Sequence, residues 1–153
     1  MINNILDHGI QSSEERQAVG LNPQGTISIT AIEEATGLQL HIRDDGKGLH
    51  LTKICQQASE RGIALNFDAW DRNSIANLIF ETGLSTKDQV TEISGRGVGM
   101  TAVRKLLQEI GGEAFIVLDE TNLAREPYHS FYIVLVLPVH AYLCDPGPVL
   151  KAG

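Results

Sequence analysis

The amino-acid sequence predicts a two-layer α/β sandwich, in which helices cover one face of a mixed, mostly antiparallel sheet. Apolar residues recur at helical spacing over residues 51–58 and again from Val103 to Ile110, which predicts two amphipathic helices. Strands are predicted where apolar and polar residues alternate: residues 26–32, 38–43, 113–119 and 130–137. The first two strands are separated only by a turn over Glu33–Gly37, so we expect them to pair as a hairpin.

Capping and polarity patterns place the other helices and loops. Ser12 and Glu15 stand in a capping-box pattern, which predicts a short helix as far as Val19. A second short helix is predicted over residues 74–80. Residues 84–94 are polar and have no apolar periodicity, which indicates a mobile loop.

Length and composition predict one globular domain and argue against several classes of partner. The chain has 153 residues, of which 42% are hydrophobic and 20% charged, with a net charge of −7. This charge, with no cluster of Lys or Arg to offset it, argues against nucleic-acid binding. Any phosphate site would therefore depend on backbone donors, a metal ion and a few local cations.

The two cysteines and the hydropathy pattern add little chemistry. Cys55 lies on the apolar stripe of the helix over 51–58 and is predicted to belong to the core, while Cys144 lies near the end of the chain. Their spacing suggests neither a disulfide framework nor a zinc site. No apolar run reaches membrane-spanning length and no signal peptide opens the chain, so the sequence predicts a cytoplasmic protein without direct membrane insertion.

A glycine-rich run directly before the helix at Val103–Ile110 predicts a phosphate site. Glycine lets backbone N–H groups approach an anion closely, and the start of a helix adds free donors. The run does not fit a Rossmann turn, which directly follows a strand and has its third glycine one position later. It does not fit a Walker A motif either, because the lysine pattern of that motif is absent. A flexible hinge remains an alternative. The run and its local cations comprise Lys87, Gly95, Arg96, Gly97, Val98, Gly99 and Met100.

A second glycine turn follows the strand over 38–43. Asp44 ends this strand, and its carboxylate can only accept hydrogen bonds when ionised, for instance from an exocyclic amine such as that of adenine. Gly46 and Gly48 would let a flat ring lie against the backbone. The alternative is an ordinary turn that begins with aspartate.

Three polar residues near the beginning of the chain lie on roughly one helical face. They are Asn4, Asp7 and His8. The side-chain oxygen of Asn4 suits Mg²⁺, which also takes phosphate oxygens. The alternatives are a solvated helix residue for Asn4 and a hydrogen bond near the helix end for His8.

Together, and in this order, these motifs resemble the sequence motifs, called boxes, of GHKL-type ATP-binding domains. Their residues are most similar to those of the CheA-type chemotaxis histidine kinases. Four segments resemble, in turn, the end of the N box, the first glycine box, the phenylalanine-containing box and the second glycine box: residues 4–10, 44–49, 78–86 and 95–100. The family's Gly-x-Gly-Thr stretch has no counterpart in residues 121–130, which contain no glycine.

The resemblance implies the cofactors ATP and Mg²⁺. Asn4 would hold the metal and Asp44 would receive the adenine amine, while residues 84–94 would belong to the ATP lid. The implied nucleotide-binding residues are Asn4, Asp7, His8, Asp44, Gly46, Gly48, Ser85, Lys87, Gly95, Arg96, Gly97, Val98, Gly99 and Met100. The family's catalytic His or Glu would precede Met1, so the resemblance identifies no catalytic residue in this sequence.

The resemblance also implies a domain boundary and a reaction. Residues 1–140 would form the ATP-binding catalytic domain, lacking its first helical turns, and residues 141–153 a flexible tail. The domain would donate the γ-phosphoryl group to a histidine on a separate domain, and coupling and receptor proteins would bind other domains. Alone, the fragment would be weakly active or inactive. The alternatives are a non-catalytic nucleotide-binding or interaction module, and another GHKL ATPase, which would need a Glu before Asn4.

Overall fold

A computed structural model describes residues 10–63, 69–81, 100–119 and 127–142. Its four strands form one sheet in the order β1-β2-β4-β3, with helices packed on it. The elements are α1 (Ser13–Ala18), β1 (Ile27–Glu34), β2 (Gly37–Asp44), α2 (Leu51–Glu60), α3 (Arg72–Asn77), a 3-10 helix (Leu78–Phe80), α4 (Met100–Glu109), β3 (Glu113–Leu118), β4 (Phe131–Pro138) and α5 (Val139–Tyr142). The predicted α/β sandwich is confirmed.

All neighbouring pairs among the described strands are antiparallel, in agreement with the expected mostly antiparallel sheet. Strands β1 and β2 pair from Ile27 opposite Asp44 to Glu34 opposite Gly37. Strand β4 returns between β2 and β3 and runs antiparallel to both. The sheet therefore consists of two antiparallel strand pairs joined through β2 and β4.

The β1–β2 turn is tighter than the predicted Glu33–Gly37 turn. Only residues 35 and 36 separate the two strands, and Gly37 already pairs with Pro138 of β4. A Cβ atom on Gly37 would lie 2.2 Å from the Leu137 carbonyl oxygen. Glycine is therefore needed at position 37 because another strand approaches it closely.

The core lies between the sheet and the helices. A row of isoleucines crosses the sheet at matched register, with Ile42 on β2, Ile133 on β4 and Ile116 on β3. All three are buried. The helices contribute the other side of this cluster: Leu51, Ile54, Ala58, Ile75, Ala76, Leu78, Phe80 and Leu107.

The helix boundaries follow from local capping. The predicted capping box at α1 is confirmed, because Ser12 N–H donates to Glu15 Oε2 at 2.9 Å and Glu15 N–H donates to Ser12 Oγ at 3.2 Å. The short helix predicted over 74–80 begins earlier, because Asp71 caps it and accepts from Ser74 N–H. It then continues as the 3-10 helix.

Two further expectations are refined by the described residues. Cys55 is only half-buried, although it does pack against the core. One helical turn, α5, lies where the sequence suggested the beginning of a tail. Its His140 Nε2 lies 3.1 Å from the carbonyl oxygen of Ile110, which links this turn to the end of α4.

Residues 1–9, 64–68, 82–99, 120–126 and 143–153 lie outside the described part of the chain. The predicted N-terminal helix end, the polar loop over 84–94 and the tail from residue 143 fall there and stay predictions. Among the described helices, none is long and apolar enough to cross a membrane.

Candidate functional site

The candidate site is centred on Asp44, the last residue of β2. Its side chain is half-buried, and Oδ1 accepts a hydrogen bond from the Gly46 backbone N–H at 2.9 Å. Burial raises the pKa of Asp44, the Gly46 hydrogen bond opposes this shift, and the negative charge of Asp45 adds to it. The strand end and the glycine turn thus hold one carboxylate in a fixed position with its ionised form disfavoured.

The geometry of Asp44 suits an amine ligand. No residue in the described ranges donates a hydrogen bond to its second oxygen, Oδ2. A half-buried carboxylate with one oxygen held and the other available is an acceptor for an exocyclic N–H group. A carboxylate acceptor favours an amine over a carbonyl at the same position, because two facing acceptors cannot form a hydrogen bond.

Contacts of Asp45 hold the turn after Asp44 in place. Asp45 continues the hairpin beyond its last strand pair, since its N–H donates to the Thr26 carbonyl at 3.1 Å and its Oδ1 accepts from Thr26 N–H at 2.8 Å. The other carboxylate oxygen pairs with the guanidinium of Arg16 at 2.8 Å. The residue next to Asp44 is therefore bound both by Thr26, directly before β1, and by Arg16 of α1.

The Gly48 end of the same turn contacts the segment that leads into β4. Leu49 N–H donates to the His129 carbonyl, and His129 N–H donates to the Leu49 carbonyl, both at 2.8 Å. Gly48 has a φ of +85°, and a Cβ there would lie 2.5 Å from the His129 carbonyl oxygen. Close backbone packing thus requires glycine at position 48, in addition to any contact with a ligand.

Basic and aromatic side chains surround this strand contact. The Lys47 ammonium lies 4.5 Å from the centre of the Tyr128 ring, and the His50 ring packs edge-on against the same ring. Arg72 Nη2 lies 2.8 Å from His129 Nδ1. These contacts fix the segment before β4 against the glycine turn, although residues 121–126 lie outside the described ranges.

The described residues on either side of positions 82–99 contact each other. Thr101 Oγ1 donates to the Glu81 carbonyl at 3.4 Å, and Arg104 forms an ion pair with Glu81 at 3.7 Å. Arg104 also lies over the Phe80 ring, 5.4 Å from its centre. Glu81, the last described residue before the glycine-rich run, therefore lies beside the first turn of α4.

The structure brings together three of the sequence-predicted site residues, Asp44, Gly46 and Gly48, in one turn. Met100 begins α4, as the glycine-to-helix pattern predicted, and packs against the core. The other predicted residues lie outside the described ranges: Asn4, Asp7, His8, Ser85, Lys87, Gly95, Arg96, Gly97, Val98 and Gly99. Within the described ranges there is no group of three His, Cys, Asp or Glu side chains suited to a metal ion.

Arg16 and His129 also belong to this region, although no sequence pattern predicted them. Arg16 is 29 residues from Asp45 along the chain, and His129 is 57 residues from Arg72. No local spacing links such distant pairs. Charged residues flanking the predicted turns were the only available signal, and that signal is weak.

The fold agrees with what comparison of the whole sequence finds. The chain belongs to the histidine kinase-, DNA gyrase B- and HSP90-like ATPase family, whose sequence profile matches residues 1–141. This confirms the family resemblance and the expected fold.

Among curated proteins, the chain is similar to several chemotaxis proteins named CheA. The protein from Salmonella typhimurium is 39% identical over 153 residues, which is 100% of this chain and 22% of the relative. The one from Rhizobium meliloti is 33% identical over 153 residues, or 100% of this chain and 19% of the relative. The Bacillus subtilis protein is 37% identical over 118 residues, covering 76% of this chain and 18% of the relative. The chain thus spans about a fifth of the length of these relatives.

Proposed function

We propose that this chain is the Mg²⁺-ATP-binding catalytic domain of a CheA-like histidine kinase. In the full-length protein it would donate the γ-phosphoryl group of ATP to a histidine on a separate domain of the same or a partner chain. The match to an ATPase family over residues 1–141 supports nucleotide binding. The similarity of the whole chain to chemotaxis proteins supports the particular kind of kinase.

One observation carries the proposal at the level of the site, namely the position of the Asp44 carboxylate. It is half-buried at the end of β2, with Oδ1 held by Gly46 N–H. We assign it to the adenine 6-amino group, which would donate a hydrogen bond to Oδ2, the oxygen that receives none from the described residues. Gly46 and Gly48 would border the ring.

The phosphates and Mg²⁺ are assigned to residues outside the described ranges. Asn4 would supply an oxygen to Mg²⁺, with Asp7 and His8 beside it. The backbone N–H groups of residues 95–99 would bind phosphate oxygens, with Ser85, Lys87 and Arg96 as polar partners. Mg²⁺ would neutralise phosphate charge, while the protein would position the γ-phosphoryl group for its histidine acceptor.

A calorimetric titration with Mg²⁺ and a non-hydrolysable ATP analogue tests nucleotide binding. We expect binding by the wild-type chain and a loss of about ten- to hundredfold in affinity for Asp44→Asn, because the amide replaces a charged acceptor. Glu109→Gln removes one negative charge from an exposed helix end and is the matched control, with affinity unchanged. No binding by the wild type, or equal binding by Asp44→Asn, would contradict the proposal.

Phosphotransfer needs a second experiment with the full-length protein. We expect radiolabel from γ-labelled ATP to appear on a histidine of the acceptor domain, and Asp44→Asn to reduce the rate at limiting ATP. Nucleotide binding without any transfer to histidine would favour the alternative of a non-catalytic nucleotide-binding or interaction module. Release of inorganic phosphate without a phosphorylated histidine would favour a different ATPase of the same family.

A further inference from the structure

Arg16 is a buried arginine that the proposed function does not use. It lies on α1 with only 1% of its surface exposed. Its Nε donates to the Asn22 carbonyl at 2.7 Å, Nη1 to the Asp45 carbonyl at 3.1 Å and Nη2 to Asp45 Oδ2 at 2.8 Å. Burying a guanidinium is costly unless it is paired and hydrogen-bonded, and here three nitrogens have acceptors.

The contacts of Arg16 converge on the residue next to Asp44. Two of its hydrogen bonds go to Asp45, one to the backbone and one to the side chain. Thr26 holds Asp45 from the other side, through the Asp45 N–H and Oδ1. The peptide that follows Asp44 is thus fixed by the planar guanidinium group of Arg16 and by Thr26, directly before β1, which restricts how Asp44 can tilt.

A purely stabilising role explains this arrangement poorly. Ion pairs that are buried are weak contributors to folding, because desolvation offsets much of the attraction between the charges. The Asp45 side chain is also 41% exposed, so solvent weakens its attraction to Arg16 further. The guanidinium group instead fixes the orientation of Asp45, because it binds the carbonyl and the carboxylate of this residue at the same time.

We infer that Arg16 is a positioning residue for adenine recognition, which holds the turn Asp44–Gly46 so that the Asp44 carboxylate faces the adenine amine. This inference rests on the proposed function of the site. Arg16 also has an electrostatic effect. Its positive charge lies against Asp45 and opposes the negative charge that disfavours ionised Asp44. Arg16 also joins this turn to α1, the helix that follows the segment with Asn4.

Discrimination between adenine and hypoxanthine measures this role directly. Mg²⁺ complexes of non-hydrolysable ATP and inosine triphosphate analogues differ in the group that faces Asp44, an amine or a carbonyl. We expect the wild type to prefer the adenine analogue, and Arg16→Met to lower that preference by roughly tenfold, mainly by weakening the adenine complex. Arg16→Lys keeps the charge but not the planar guanidinium group, and should restore only part of the preference.

Two further variants separate positioning from stability. Asn77→Ala disturbs a contact between α3 and β3, the strand that β4 separates from β2, and should lower the unfolding midpoint while leaving the adenine preference unchanged. Asp45→Asn removes the charge facing Arg16 but keeps an Oδ1 acceptor for Thr26 N–H, so it is expected to fold even if Arg16→Met does not.

The outcomes distinguish the inference from the proposed function. If the wild type fails to bind the ATP analogue, or Asp44→Asn binds it equally, the proposed function fails. If the wild type binds it and Asp44→Asn does not, the proposed function stands. The inference about Arg16 is then overturned if Arg16→Met folds and keeps the wild-type preference for the adenine analogue. If Arg16→Met does not fold, the same result for Asp45→Asn overturns it. It is equally overturned if Asn77→Ala loses as much preference.

Discussion

At the scale of single residues, Asp44 combines a role in binding with a cost in folding. Burial is the main cause of its raised pKa, and the nearby charge of Asp45 adds to it. A carboxyl group whose pKa is higher in the folded protein than in the unfolded chain stabilises the fold at low pH, where it is protonated. That contribution is lost as the pH rises through the folded-state pKa, so ionised Asp44 destabilises the nucleotide-free protein at neutral pH.

Asp44→Asn should therefore be at least as stable as the wild type at pH 7 in the absence of nucleotide. The amide keeps an oxygen for Gly46 N–H and carries no charge to desolvate. The difference in unfolding free energy between Asp44→Asn and the wild type should shrink as the pH falls from above the raised pKa to below 3.8, the usual pKa of aspartate. At that pH the Asp44 carboxyl of the wild type is protonated and also carries no charge. Urea unfolding midpoints measured across this pH range provide the check.

The control for this prediction is Glu109→Gln, which removes a charge from the exposed end of α4. If Asp44→Asn is less stable than the wild type at pH 7, or if its advantage persists unchanged at acid pH, the cost assigned to Asp44 is wrong. A gain in stability combined with a loss of nucleotide affinity would show that this side chain is kept for binding.

The residue scale also shows the limit of reading the site from sequence. Asp44 and Gly46 could be identified because an aspartate at a strand end before glycine is a local pattern. Arg16 could not, because its partner lies 29 residues away and an arginine on a short polar helix is ordinarily exposed. Gly48 was predicted because glycine would let a flat ring lie against the backbone, but its close contact with the His129 carbonyl depends on tertiary structure.

At the scale of elements, α3 covers the edge of the sheet at β3. Asn77 Nδ2 donates to the Ile116 carbonyl and Asn77 Oδ1 accepts from Ile116 N–H, both at 2.8 Å. One turn earlier on α3, Asn73 Oδ1 accepts from Leu118 N–H at 2.8 Å. Two side chains spaced four residues apart thus take the place of a neighbouring strand, which is one way of blocking an edge from pairing with other chains.

Asn77→Ala should lower the free energy of unfolding by about 2 to 3 kcal/mol. The substitution leaves the N–H and C=O of the buried residue Ile116 without partners, and each unsatisfied group costs roughly 1 to 3 kcal/mol before partial solvation. Chemical denaturation with fluorescence or circular dichroism detection measures the change. Gln108→Ala, at an exposed position of α4, is the control and should change stability by less than about 0.5 kcal/mol.

An Asn77→Ala protein as stable as the control would show that water or another group replaces the asparagine. The sequence alone could place these elements but not this contact. Alternation located β3 and apolar spacing located the helix, since both patterns are local. No local pattern predicts the role of the two asparagines, because that role depends on which strand lies at the edge, and the strand order is set by the whole chain.

At the scale of the whole molecule, the isoleucine row across the sheet marks where the helical layer ends. Ile29 on β1 stands opposite Ile42 and on the same face, yet it is 55% exposed, while Ile42 is 6% exposed. Ile133 and Ile116, further along the row, are 3% and 1% exposed. All four isoleucines lie on one face of the sheet because the strands pair in matching register. Which of them are buried depends on where the helices pack against that face.

The same substitution along this row should therefore give a graded loss of stability. Isoleucine to valine removes one methylene group and keeps a β-branched side chain, so strand propensity changes little. We expect losses of about 0.5 to 1.5 kcal/mol at Ile116, Ile133 and Ile42, where a small cavity would form, and a change within about 0.5 kcal/mol at Ile29. Urea unfolding of the four single variants measures the series, with Ile29→Val as its internal control. A loss at Ile29 as large as that at Ile116 would mean that β1 is covered in solution, and the helical layer would then have to extend over all four strands.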